Sequence, residues 1–263
     1  MAVLILLPPS EGKRAPAAGR AVDLASLSHP ELAEPRRRVG DALVRVSGQR
    51  NALAVLGAGP SLAEEVAHNT RLWEAPAAPA AQVYTGVLYD AAGAARWDAS
   101  TLNRAAESVR IFSALWGAVS PADHIPAYRL SAGTALGRLG AVGTFWRSRL
   151  GKPLDALTQD RLVIDCRSAG YAAMWAPPPA RTVAVRVERE LDGRRTVVSH
   201  LAKHTRGILT GHLLATDAAP DSPAALADAA AELIGSQLKD VALSPAPASG
   251  KSKGVATLTL VVV

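Results

Sequence analysis

The sequence predicts a mixed α/β (α+β) fold, a single domain over residues 1–263 with a central mixed sheet and surrounding helices. Three observations carry this. Short apolar or β-branched runs of strand length alternate with segments that open on helix-capping residues. One Asp-Gly pair between two β-rich runs gives the strongest hairpin signal. No internal repeat and no Pro/Gly-rich linker divides the 263 residues.

Taken in order, Val3 to Leu7 is an apolar run closed by Pro8-Pro9, a buried strand that ends in a loop. Ser28-His29-Pro30-Glu31 and Ser61-Leu62-Ala63-Glu64 match the capping box, so a helix is expected after each serine. Residues 75–81 are rich in Ala and Pro and read as a surface loop. Asp98 caps a helix to about Glu107, and Val109 to Phe112 is a strand. Ser120-Pro121 opens a further helix with Pro in its first position. Leu162 to Cys166 is a strand. Thr182 to Leu191 and Arg195 to His200 form a hairpin about Asp192-Gly193. Ser222-Pro223 begins a helix reaching about Lys239, residues 244–254 form a mobile Pro/Ser/Gly-rich loop, and Thr257 to Val263 is a last strand.

Composition limits the function. The chain is 49% hydrophobic and 20% charged, values of a globular protein. Its single cysteine allows no internal disulfide, and no apolar run reaches membrane-spanning length. Ala2 to Leu7 is too short for a signal peptide. These features predict a soluble, cytoplasmic protein with no membrane partner. The net charge is +6, but only Arg36-Arg37-Arg38 forms a basic cluster, so the charge favours a polyanionic partner only weakly.

The common chemical motifs fail. Gly250-Lys251-Ser252 lacks the P-loop glycine five residues upstream, where Pro245 stands, and Arg14 breaks the pattern after Gly12-Lys13. There is no nucleophile elbow and no G-x-G-x-x-G after a strand. His200 and His204 have the spacing of a helical zinc pair but lack further ligands, and Cys166 has no CxxC partner. No metal and no cofactor is expected. The few aromatics cluster instead: Phe112, Trp116 and Trp175 read as core, whereas Tyr84, Tyr128 and Tyr171 sit beside polar residues and suit a polar role.

Several dispersed segments resemble the YaaA family of bacterial peroxide stress proteins. They are Leu7-Pro8-Pro9-Ser10-Glu11-Gly12-Lys13, Val83-Tyr84-Thr85-Gly86, Phe112 to Val119 with Pro121 and Asp123, and Pro126-Ala127-Tyr128-Arg129-Leu130. Phe145-Trp146, Asp165 to Tyr171, and Ser199 to Lys203 with Arg206-Gly207 complete the set. The resemblance implies a role in limiting iron-dependent oxidative damage. It also implies non-specific DNA binding through a basic cleft and a helix-hairpin-helix. That hairpin would fall at Trp116, Gly117 and Ala118, with the helix opened by Pro121 presenting backbone N–H groups to phosphate. Where some members carry Glu after the Pro-Tyr-Arg-Leu segment, this chain has Ser131.

The same motifs support a second reading, an enzyme acting on a small anionic, phosphorylated or nucleotide-like substrate. Lys13, Tyr84, Thr85, Arg129, Ser168, Tyr171, Lys203 and Arg206 come from distant segments, and shared polar residues scattered this way tend to meet at strand ends. Arg129 suits a bidentate clamp on phosphate or carboxylate. Lys13, Asp165 and Lys203 are the candidates for acid–base or nucleophilic work, the lysines if desolvation lowers their pKa. The expected partner is therefore DNA or a small anionic ligand. The sequence leaves the oligomeric state open.

Overall fold

The computed structural model describes residues 3–198, 200–246 and 254–262, the His200 side chain excepted. β1 (Val3–Leu7) is buried at all five positions, the pattern of a strand covered on both faces. There follow α1 (Ala33–Ser47), α2 (Ala52–Leu56), α3 (Ala63–His68), β2 (Ala78–Pro79), α4 (Ala80–Val83), α5 (Val87–Ala91) and α6 (Ala99–Ser108). Then come β3 (Val109–Ser113), β4 (Gly117–Val119), β5 (His124–Ile125), α7 (Val142–Arg147), α8 (Gly151–Asp155), β6 (Leu162–Asp165) and α9 (Ala169–Ala172). β7 (Thr182–Leu191), β8 (Arg194–Val197), α10 (His200–Ala215), α11 (Pro223–Ala231), β9 (Asp240–Ser244) and β10 (Ala256–Val262) complete the chain.

The main sheet runs β4-β3-β1-β6-β7-β10-β9, with β8 paired to the far end of β7. The fold is α/β, as expected. β1 lies between β3 and β6 and is parallel to both, with Leu7 beside Ile111 and Leu6 beside Asp165. The carboxyl ends of these three strands therefore lie together, and the chain leaves β1 toward neighbours on both sides. Such a switch point is where open α/β sheets place their sites.

Asp98 caps α6 as expected, its carboxylate accepting from Thr101 N–H at 2.7 Å, and Ser222 caps α11 by accepting from Ala225 N–H at 3.2 Å. The turn at Asp192 (φ 51°) and Gly193 (φ 73°) has both residues left-handed, which joins β7 to β8 as the hairpin signal implied.

Other expectations need correction. Neither Ser28 nor Ser61 caps a helix: 3-10 turns at Pro30–Leu32 and Pro60–Leu62 lead into α1 and α3 instead. Ser28 is drawn away, since its N–H and hydroxyl both donate to Asp123 Oδ1 at 2.9 and 3.0 Å. Ser120-Pro121 opens no helix. Asp123 Oδ2 accepts the Ser120 N–H at 2.9 Å and closes a turn. The Pro121 and Asp123 carbonyls accept from Ala81 and Ala80 at 2.9 and 2.8 Å, so they serve the start of α4. α11 ends at Ala231, short of the expected Lys239, and β9 fills the stretch between the expected helix and loop, reaching the loop only at Ser244. Residues 247–253, with the Gly250-Lys251-Ser252 motif, and Ser199 lie outside the described residues.

The largest correction concerns residues 115–119. They form no helix-hairpin-helix but a β-hairpin, in which Ser113 pairs with Gly117 and Ile111 with Val119. Trp116 and Ala118 are fully buried. Gly117 has φ +75°, and a Cβ there would meet Trp146 at 2.8 Å, so the glycine serves turn geometry and packing rather than a phosphate.

Candidate functional site

The loop after β1 turns back on the sheet and is pinned to the loop after α4. Arg14 N–H donates to the Val83 carbonyl at 2.8 Å, and Lys13 and Tyr84 pair as an isolated bridge. Thr85 N–H donates to Ser10 Oγ at 3.1 Å, and Ser10 Oγ in turn donates to the Gly12 carbonyl. These contacts deliver the Lys13 amine over the Tyr128 ring, 4.3 Å from its centroid, with the Tyr84 ring at 5.6 Å. The amine donates to the Ser10 and Glu11 carbonyls at 2.9 and 3.2 Å.

Arg129 follows Tyr128 directly. Its backbone is held from both sides by buried Asn69, whose Oδ1 accepts from Arg129 N–H at 2.8 Å while Nδ2 donates to the Arg129 carbonyl at 3.0 Å. The guanidinium lies 3.6 Å from Glu11 Oε2 and 3.8 Å from Glu65 Oε2. Desolvation, aided by the Arg129 charge, pushes the Lys13 amine down from 10.5 to about 7; Glu65 and Glu11 oppose this. Burial holds the Tyr84, Tyr128 and Tyr171 phenols well above their usual range. Below the amine a hydroxyl chain runs inward: Tyr84 Oη to Tyr128 Oη at 2.9 Å, then to Ser113 Oγ at 2.7 Å, at the end of β3. A half-neutral amine beside a cation and protonated phenols can act as a base or nucleophile near pH 7.

The structure thus brings together Lys13, Tyr84, Thr85 and Arg129. Half-buried Tyr171 lies near enough for the charges of Glu11 and Arg129 to act on it. The four-cation convergence reduces to two. Arg206 turns to β7, its Nη2 and Nε donating to the Val185 carbonyl at 2.7 and 3.2 Å, and Lys203 is exposed on α10. Ser168 is exposed ahead of α9 and caps nothing with its side chain. Asp165 is committed to buried Arg167 by a bidentate pair at 2.7 and 2.9 Å, so it is a structural anion rather than a free acid. His204 is exposed on α10.

None of the expected site residues lines the surface hollows of about 440, 640 and 530 Å³, although Arg14 and Val83, next in the chain to Lys13 and Tyr84, line the first. The Lys13 group is a side-chain cluster at the mouth of the sheet. Arg36, expected in a basic surface cluster, is fully buried and donates to four carbonyls, those of Trp116, His29, Ser28 and Ala118. Cys166 is buried, and its thiol is pushed up to about 12. It cannot supply the thiolate that peroxide reduction needs. Among the described residues, no three His, Cys, Asp or Glu side chains gather as metal ligands, and no helix is long and apolar enough to cross a membrane.

Sequence reasoning missed Glu65, Asn69 and Ser113. Glu65 and Asn69 lie outside the recognised motifs, and only the fold brings α3 and its end against Arg129. Ser113 was within a motif, but nothing local distinguishes its inward hydroxyl from an ordinary strand serine.

A UPF0246 protein of Streptomyces coelicolor is 46% identical over 236 residues, 88% of this chain and 90% of that protein. One from Corynebacterium efficiens is 47% identical over 218 residues, 81% and 85% of the two chains. A more distant one from Burkholderia mallei is 28% identical over 219 residues, 78% and 83%. The model of the peroxide stress protein YaaA family matches residues 3–233. With the match running from β1 past the end of α11, this chain belongs to the peroxide stress protein YaaA family.

Proposed function

We propose that this YaaA-family protein is an enzyme for a small anionic substrate, with Arg129 holding the anion and Lys13 acting as the base or nucleophile. One observation carries the reading: the Lys13 amine, lowered to about 7, is fixed beside Arg129 at the switch point of the sheet. Glu11 and Glu65 keep Arg129 oriented without closing a short bidentate pair on it, so an incoming phosphate or carboxylate competes for the fork. In the peroxide response, the role would follow from handling that substrate, because the single thiol is buried and protonated.

Duplex DNA held through its backbone, as a means of limiting iron-dependent damage, is the competing proposal. Its expected hairpin is buried. The exposed β7–β8 arm carries Arg186, Arg189, Arg194 and Arg195; Arg186 pairs with Glu188 at 2.7 Å and Arg195 with Glu190 and Asp240 at 2.9 and 2.7 Å, while Arg189 and Arg194 form no ion pair among the described residues.

Calorimetric titration with inorganic phosphate and a panel of phosphorylated metabolites tests the reading. Arg129→Lys should weaken binding on the order of tenfold, as a fork becomes a point charge, while Lys203→Ala should leave it unchanged. Salt-sensitive binding of unrelated duplexes that ignores changes at Lys13 and Arg129 would replace this reading with the DNA one.

A further inference from the structure

We propose that the Lys13 site forms an imine with an aldehyde or ketone carrying a phosphate or carboxylate, Lys13 being the nucleophile and the Tyr84–Tyr128 pair the proton donor to the carbonyl oxygen. The proposal rests on the reading above and names the substrate class for it.

Ser113 Oγ accepts the Leu115 and Trp116 N–H groups at 3.2 and 2.9 Å. Both lone pairs are then used, and its own proton must go to Tyr128 Oη. The contact between Tyr128 and Tyr84 consumes one phenol proton. Two phenols supply two, so one is left over, and the acceptor near Tyr84, Ser113 Oγ, is already taken by the Leu115 and Trp116 N–H groups. Both phenols are buried, with 1% and 4% of their residue surface exposed, and an unspent donor there suits the oxygen of an incoming group.

A buried phenol that stays protonated can donate a hydrogen bond to a carbonyl oxygen and pass its proton on as attack turns that oxygen into a basic alkoxide. The amine is arranged to match. In its neutral form both N–H groups are engaged by the Ser10 and Glu11 carbonyls, which leaves the lone pair for attack. Arg129 supplies the counter-charge for the substrate's acid group, and Glu11 and Glu65 stand beside it to carry protons.

The step balances without an oxidant or reductant. The Nζ–C bond forms as the carbonyl pair moves to oxygen, which takes the phenol proton, while a proton leaves nitrogen for a carboxylate. The carbinolamine hydroxyl takes that proton and departs as water, the nitrogen pair closes C=N, and the phenol regains a proton from the iminium nitrogen or solvent.

The test incubates the full chain with glyceraldehyde 3-phosphate or pyruvate, adds borohydride, and maps adducts by mass. One adduct at Lys13 is expected, with little at the other five lysines. Lys13→Arg should abolish it. Tyr84→Phe and Tyr128→Phe should each slow trapping on the order of 10²-fold while binding of glycerol 3-phosphate, which has no carbonyl, stays within about twofold. Thermal unfolding confirms that each variant is folded. If glycerol 3-phosphate binds in an Arg129-dependent way but neither probe is trapped at Lys13, the imine proposal is overturned and the anion site stands. Adducts spread over the exposed lysines overturn it equally. If glycerol 3-phosphate does not bind and nothing is trapped, both readings fall.

Discussion

Replacing Lys13 by methionine should make the protein more stable in mild acid than in base, relative to the parent. Burial lowers the amine from 10.5 to about 7. Below pH 7 the folded and unfolded states both hold the proton, and the folded state bears the full cost of an enclosed ammonium. Above pH 10.5 neither holds it and the cost is gone. Between these limits the unfolded state binds more protons, so the contribution of Lys13 improves as pH rises. Complete enclosure would make the span roughly 5 kcal/mol. Lys13 is half-buried, but an amine that titrates near 7 when folded and 10.5 when unfolded fixes the span at that size. Methionine keeps much of the length over the Tyr128 ring and carries no charge. It also loses the bonds to the Ser10 and Glu11 carbonyls, an offset that varies little with pH. The readout is therefore the slope. Urea unfolding of both proteins from pH 6 to 10 should show the variant losing about 4 kcal/mol relative to the parent across the range. A difference that stays flat with pH would refute the desolvated amine.

Other expectations follow from single contacts. Gly117→Ala combines a left-handed backbone with a Cβ 2.8 Å from Trp146, itself anchored by its Nε1 donating to the Ala114 carbonyl at 2.7 Å. Urea unfolding should show a loss of about 2–5 kcal/mol. Arg36→Met leaves four carbonyls without their donor and should cost about 3–5 kcal/mol; Arg37→Met, whose guanidinium only covers the Trp73 ring at 4.0 Å, should cost about 1 kcal/mol or less by the same measurement. Arg129→Lys should shift unfolding by under about 1 kcal/mol, since its ion pairs are long and partly exposed, while weakening phosphate binding in calorimetry.

What could be read from the chain was whatever local chemistry decides. Five apolar residues closed by two prolines gave β1, the Asp98 cap gave α6, and Asp192-Gly193 gave the β7–β8 turn. Readings failed where a distant partner overruled a local preference. Ser28 has the right spacing for a cap, but the Asp123 carboxylate, 95 residues on, takes its N–H and hydroxyl. Ser120-Pro121 has a helix opening, but α4 captures the Pro121 and Asp123 carbonyls. Arg36 sits in a run of arginines, and only the β3–β4 hairpin reveals that four carbonyls need it. The second hairpin strand was expected to run to His200, but β8 ends at Val197 and α10 begins at His200, so that helix went unmarked. In the site, Lys13, Tyr84 and Arg129 stood out because a family pattern marked them. Their mutual distance, the clamp by Asn69 and the inward hydroxyl of Ser113 arise from β1 lying between β3 and β6, which no short segment encodes.

The account turns on the protonation state of one amine. Protein grown on lysine labelled with carbon-13 at Cε shows six resonances at most, and the Lys13→Arg variant identifies the one from Lys13. Following that signal from pH 5 to 11 should give a midpoint near 7, against about 10.4 for an exposed lysine. Adding phosphate should raise the midpoint, as the anion offsets the Arg129 charge. A Lys13 midpoint near 10, unmoved by phosphate, would contradict the central claim.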